Sequence, residues 1–227
     1  MRMGHLISWD MRFQVKYGFY FVYGVVTVLY VIVLSALPVS WREKAAAVMI
    51  FSDPAAMGLF FMGAVILLEK NQRVVDAFIT SPLKVGEYII SKVISFGFMA
   101  LVVALALSIA AGSAHILLIL VGTALSSAMF TLLAMIVASG INSLNQFLIA
   151  VIPVEIICFV PSLFYLFDAG PEFLTYYPVN ICMGMIMGQT DNILLKTFLT
   201  VFVLYLLFRI AGRRVAKMWR YTGGIKL

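Results

Sequence analysis

Apolar residues in this chain come in long runs bounded by clusters of charge. No charged residue lies between Tyr17 and Trp41, and 62 residues separate Lys92 from Glu155 without one Asp, Glu, Lys or Arg. About 20 mostly apolar helical residues cross a hydrocarbon core about 30 Å thick, so such runs read as transmembrane helices. The pattern predicts six of them, at residues 18–37, 45–68, 88–111, 116–138, 147–167 and 193–212. Pro38 closes the first. The second enters near Asp53-Pro54 and ends at Glu69-Lys70. Gly112 to His115 form the turn between the third and fourth, and the polar stretch from Ser139 to Gln146 separates the fourth from the fifth. In the sixth, Lys196 and Arg209 sit near the ends, where long side chains reach the headgroups.

Three stretches are not simple spans. Residues 1–17 mix Leu6, Ile7, Met11, Phe13 and Val15 with Asp10, Arg12 and Lys16. They are too polar to cross and fit an interfacial helix or an anchoring flank ahead of a single transmembrane domain at 18–227. In residues 69–92, Val74, Val75, Phe78 and Ile79 share one helical face, while Gln72, Arg73, Asp76 and Thr80 occupy the other. Ser81-Pro82 stops this short helix, because the residue before proline avoids helical geometry. Such a helix is either an interfacial float or a docking knob for a soluble partner. Residues 168–192 are too long for a turn and too apolar for an ordinary loop. Pro171, Pro178, Gly170, Gly184 and Gly188 divide them into two short helices dipping into the outer leaflet, shielded by protein.

Composition agrees with a lipid environment: 63% of the 227 residues are hydrophobic and 11% are charged. A soluble domain carries about 25% charged residues, so a cytosolic enzyme, a secreted disulfide scaffold and a free nucleic-acid-binding domain are excluded. The net charge of +6 reports orientation instead. Thirteen Lys and Arg flank one side of the predicted spans: Arg2, Arg12 and Lys16, then Lys70, Arg73, Lys84 and Lys92, then Arg209 and the C-terminal group through Lys226. Arg42, Lys44 and Lys196 alone fall on the other, which predicts both termini in the cytoplasm. Trp9, Trp41 and Trp219 fall at predicted interfaces, as an aromatic belt does. The N-terminus lacks a short apolar core with a small-residue cleavage site, so the first span is expected to be retained.

Catalytic constellations are absent from the sequence. His5 and His115 are predicted on opposite faces, and the dipeptide Gly-Lys of a phosphate-binding loop never occurs. Cys158 and Cys182 read as small apolar side chains. A soft metal on Cys182, Met183, Met185 and Met187 is conceivable chemistry, but packing is the reading taken, with no metal site assigned. Intramembrane polar residues are the functional candidates. Glu155, between Pro153 and Pro161, costs about 2.5–3.5 kcal/mol to insert and should face protein, water or a cationic ligand. It lines a substrate path or is protonated or hydrogen-bonded internally. Asp53 is a second candidate. Tyr20, Tyr23, Thr27 and Tyr30 fall within a sector of about 80° on the first span, open to amphiphilic substrate or to helix packing. The small-residue ridge Ala100, Ala104, Ser108 and Gly112 is assigned to packing.

From the second to the third span, Glu69, the helix Arg73 to Thr80, Ser81-Pro82-Leu83 and Glu87 to Lys92 resemble the membrane subunits of ABC-2-type (type V) ABC exporters. Trp9-Asp10-Met11-Arg12, Lys16-Tyr17-Gly18-Phe19-Tyr20, Asp53-Pro54-Ala55 and Leu67-Leu68-Glu69-Lys70 are most similar to the fluoroquinolone-export-type permease branch. Val74-Val75 departs from the Gly-Thr that many family members carry. The resemblance implies a multi-pass subunit of a bacterial plasma (inner) membrane, partnered by separate ATPase subunits that bind ATP and Mg. It also implies a second permease chain, identical or a sister, and no cofactor on this chain. Glu69, Arg73, Val74, Val75, Asp76, Phe78, Ile79, Pro82 and Glu87 would couple to the ATPase. Glu155, Asp53, Tyr20, Tyr23 and Tyr30 would line the path of an amphiphilic, drug-like substrate. A proton-coupled secondary transporter using Glu155 and a non-transporting assembly factor are the competing classes.

Overall fold

A computed structural model describes residues 2–167 and 169–222. The charge-free runs become helices long and apolar enough to cross a membrane: α2 (Phe19–Ala36), α3 (Val39–Ile50) with α4 (Met57–Asn71) as one unit, α6 (Val85–Ala111), α7 (Ile116–Ala138), α8 (Leu144–Leu166) and α10 (Ile193–Thr222). Ahead of them runs α1 (Arg2–Lys16), and α5 (Val74–Thr80) lies between α4 and α6. The segment before α10 folds as a 3-10 turn (Glu172–Tyr176) and α9 (Pro178–Ile186), in keeping with the two short helical pieces expected there. Asp168 and Lys226, which bore on the loop boundary and the charge count, lie outside the described residues.

α7 sits at the centre, packed on α4, α6, α8, α9 and α10. Small residues make this possible. Thr123, Ser126 and Thr131 are fully buried on α7, as are Ala100, Ala104 and Ser108 on the predicted α6 ridge. The hydroxyls of Ser108, Thr123 and Ser126 return to their own helix: Ser108 Oγ donates to the Ala104 carbonyl at 2.6 Å, Thr123 Oγ1 to that of Ile119 at 2.8 Å and Ser126 Oγ to that of Gly122 at 2.8 Å. At Gly122 a Cβ would lie 2.9 Å from the Cys182 carbonyl, so only glycine lets α9 approach this closely.

Four expectations are corrected by packing. First, the second span does not begin near Asp53. It runs from Val39 to Asn71, α3 (Val39–Ile50) passing through a π turn (Phe51–Ala55) into α4 (Met57–Asn71). Pro54 cannot donate to the carbonyl four residues back and would clash with it, and one widened turn absorbs the misfit without ending the helix. Second, α10 continues ten residues beyond Gly212, because Ala211, Val215, Met218 and Trp219 form a buried stripe. Third, the helix expected to lie in the interface, α1, also packs one face on the bundle. Asp10, Phe13 and Gln14 are buried, and the helix packs on α6. Fourth, Trp219 is 8% exposed and belongs to the core, not to an aromatic belt. Gly18, at φ 79°, makes the sharp bend from α1 into α2.

α8 keeps both prolines inside a continuous helix. Pro161 leaves the carbonyl of Ile157 without its usual donor, and the Tyr177 hydroxyl takes it at 3.0 Å. Buried Asn180 donates to the carbonyls of Leu174 at 2.9 Å and Pro161 at 3.3 Å. α9 is thereby fastened to α8 and to the 3-10 turn.

Candidate functional site

At the end of the bundle that holds both termini, three elements bring charges into a dry cluster. Glu69 lies in the last turn of α4, Lys92 in the second turn of α6, and Asp10 in the middle of α1; they are 0%, 1% and 2% exposed. Lys92 Nζ donates to Asp10 Oδ1 at 2.6 Å and to Glu69 Oε1. The Tyr88 hydroxyl donates to Glu69 Oε2 at 2.6 Å, and the Ser91 hydroxyl to Asp10. Removing such charges from water costs several kcal/mol per ion, so each survives only with its partners in place. The ammonium is also walled by aromatic faces, with ring centroids of Tyr88, Trp9 and Phe13 at 5.3, 5.6 and 6.0 Å. Beside it Gln14 Nε2 donates to Ser95 Oγ at 3.0 Å, a second buried tie between α1 and α6.

α5 rests on this cluster. Arg73 adopts a left-handed φ of 55°, which turns the chain sharply out of α4 and starts α5. Val75 is fully buried and Phe78 half-buried. The Phe78 ring meets Trp9 of α1 at 6.0 Å, Tyr88 of α6 at 5.6 Å and Trp219 of α10 at 6.3 Å. The apolar face expected for docking is therefore its anchor to the bundle, while Gln72, Arg73, Ala77, Ser81, Pro82 and Lys84 are exposed. Val74, Asp76 and Ile79 are half-buried. Glu87 accepts the Lys84 backbone N–H at 2.9 Å and so caps the start of α6. Gln72 donates to the Tyr17 hydroxyl, joining the α4–α5 bend to the α1–α2 bend.

A second polar group lies inside the membrane-spanning region. The π turn holds Asp53, half-buried, on the α2 side, where the Tyr23 hydroxyl donates to its Oδ1 at 3.2 Å. Tyr30 interacts electrostatically with the same carboxylate. Tyr23 is 3% exposed and also meets Phe61 edge-on, so the tyrosine stripe both packs and holds an acid. Tyr20 is half-buried one turn away. Glu155 is half-buried on α8 and makes no hydrogen bond among the described residues. The structure thus joins Asp53 to Tyr23 by a hydrogen bond, leaving Glu155 outside that pair.

The profile of the Fluoroquinolones export permease protein family matches residues 1–222, nearly the whole chain. The chain belongs to this family. Two fluoroquinolones export permease proteins of Mycobacterium tuberculosis, from strains CDC 1551 / Oshkosh and ATCC 25618 / H37Rv, are each 30% identical to it over 140 residues. That match covers 60% of this chain and spans 59% of each relative's length. Family membership and six helices long and apolar enough to cross a membrane agree with a multi-pass membrane protein.

Within this chain, sequence reasoning found Glu69 but missed Asp10, Tyr88 and Lys92 as its companions. From the sequence, Lys92 reads as an orientation charge near the start of a span. Its signal was its neighbourhood: Tyr88 and Ser95 fall four residues before and three after it on one helical face, unusual polarity for the start of a span.

Proposed function

We propose that this chain is a transmembrane subunit of an ATP-driven exporter in a bacterial inner membrane, moving an amphiphilic, drug-like molecule such as a fluoroquinolone out of the cell. Both termini face the cytoplasm. Separate ATPase subunits bind ATP and Mg, and a second permease chain, identical or a sister, completes the path. The anchorage of α5 carries this reading. Phe78 is wedged among Trp9, Tyr88 and Trp219, so displacement of α5 by a docked ATPase acts at once on α1, α6 and α10. Tyr88 passes that displacement to Glu69 through their hydrogen bond. Glu69 and Asp53 occupy the same span, 16 residues apart, or about 24 Å along a helix. Movement at the α5 end therefore reaches the tyrosine-held carboxylate, which suits the amine of a cationic or zwitterionic amphiphile. Arg73, Ser81, Pro82 and Lys84 form the outward contact surface, and Val75 supports it from behind.

The decisive measurement is uptake of a fluorescent fluoroquinolone into inverted vesicles holding this chain together with the ATPase subunit that co-purifies with it. Uptake should require Mg-ATP, persist with a protonophore and fall several-fold in Asp53→Asn. Uptake without ATP that a protonophore and Glu155→Gln abolish would instead identify a proton-coupled carrier. Absence of uptake under either condition, with both subunits folded, would favour an assembly factor.

A further inference from the structure

A cavity of about 620 Å³ opens at the end of the bundle that holds both termini, between the last turn of α4, the α7–α8 connection and the final third of α10. Among the described residues its walls include Lys70, Ser139, Gly140, Asn142, Arg214 and Lys217, so three cations and no acid of that set line it. Glu69, the acid adjacent to Lys70, is turned into the buried cluster with Lys92 and does not neutralise them. Lys70 is half-buried and held: its ammonium donates to the Ile141 carbonyl at 2.7 Å and the Ala138 carbonyl at 3.4 Å. Two of its three N–H groups are thereby used, which fixes its direction and leaves one to donate. Arg214 is exposed and forms no ion pair among the described residues.

The level and flanks of this cavity specify its ligand. Lys70 ends one membrane span, Ser139 follows another directly, and Arg214 stands just past the apolar part of α10, the depth at which headgroups lie. On the same face of α10, Ile210 and Leu206 lie one and two turns from Arg214 toward the membrane interior, and both are exposed. At the start of α8, Leu144 and Leu148 are exposed as well. A basic recess above exposed apolar side chains matches a molecule with an anionic head and hydrocarbon tails. We propose that this cavity binds the phosphate headgroup of an anionic phospholipid, with Lys70 and Arg214 on the phosphate, Lys217 and Asn142 at its margin, and acyl chains along α10. This inference requires only that the spans lie in a bilayer and does not depend on an ATPase partner.

The purified full chain in zwitterionic detergent provides the test, titrated separately with phosphatidylglycerol, phosphatidylcholine, water-soluble glycerol phosphate and inorganic phosphate. Thermal unfolding and native mass spectrometry are the readouts. Phosphatidylglycerol should raise the unfolding temperature and remain as a bound adduct at concentrations where phosphatidylcholine does neither. In Arg214→Ala/Lys217→Ala the half-saturating concentration should rise about thirtyfold, roughly fivefold for each basic residue removed near a membrane surface. Arg213→Ala, an exposed charge beside the cavity lining, should bind as the parent does and controls for net charge. Equal effects of the two lipids, or unchanged lipid preference in the double variant, would overturn the proposal. Inorganic phosphate or glycerol phosphate saturating as readily as phosphatidylglycerol would reassign the cavity to a soluble anion and also overturn it.

Discussion

Lys92 is the residue on which the α1–α4–α6 cluster depends, since it is the ammonium that both Asp10 and Glu69 share. Replacing it with methionine keeps the bulk but leaves two carboxylates facing one another without a cation. Removing one partner of a buried ion pair costs about 3–5 kcal/mol, so Lys92→Met should lower the melting temperature in detergent sharply. Adding Asp10→Asn and Glu69→Gln to that variant should recover much of the loss, because no uncompensated buried charge then remains. If the single variant melts like the parent, the cluster is not the lock described here. Cys182 offers a quieter test: burial pushes its thiol up to about 12, so the thiolate that reacts with maleimide is scarce. Mass spectrometry after maleimide treatment at pH 7.5 should find Cys182 modified only once the chain has been unfolded. Glu69 was legible in the sequence because it ends an apolar run. Its companions were not, since Lys92 lies 23 positions further on in another helix and Asp10, which shares that ammonium, lies 82 positions before Lys92, and no local pattern pairs residues so far apart.

At the scale of elements, close approach of backbones decides what is tolerated. Gly122 of α7 faces α9, where an added Cβ would meet Met185 Cβ at 2.8 Å and the Cys182 carbonyl at 2.9 Å. Gly97 of α6 has nothing within 4 Å of the same position. Gly122→Ala should therefore destabilise by about 1–3 kcal/mol through overpacking. Gly97→Ala should be neutral or gain up to about 1 kcal/mol from better helix propensity. Paired melting curves of the two variants in one detergent would check both signs. Elements were the most legible level, since charge-free runs of span length leave few alternatives to helices. The misjudged boundaries have specific physical causes. Pro54 reads as a start signal, yet a π turn carries α3 through it, and Trp219 reads as interfacial, yet Phe78 and Tyr88 enclose it.

For the whole molecule, the distribution of basic residues predicts a fixed orientation, with α5 on the cytoplasmic side and the 3-10 turn outside. With both native cysteines replaced by alanine, a membrane-impermeant thiol reagent should label Glu172→Cys on intact cells. Arg73→Cys should become reactive only in inverted vesicles. The reverse pattern would invert the topology and displace the ATPase contact proposed for α5. Burial within the chain is uneven: 72% of the apolar window in the second span is buried, against 17% for α2 and 11% for α10. The first and last spans therefore present most of their surface to lipid or to another subunit.

The central position of α7 carries a further consequence. Hemmed in by α4, α6, α8, α9 and α10, it plugs the axis along which a bore would have to run. Under the proposed export function, cargo would slide along an outer seam of this chain that a second permease chain completes.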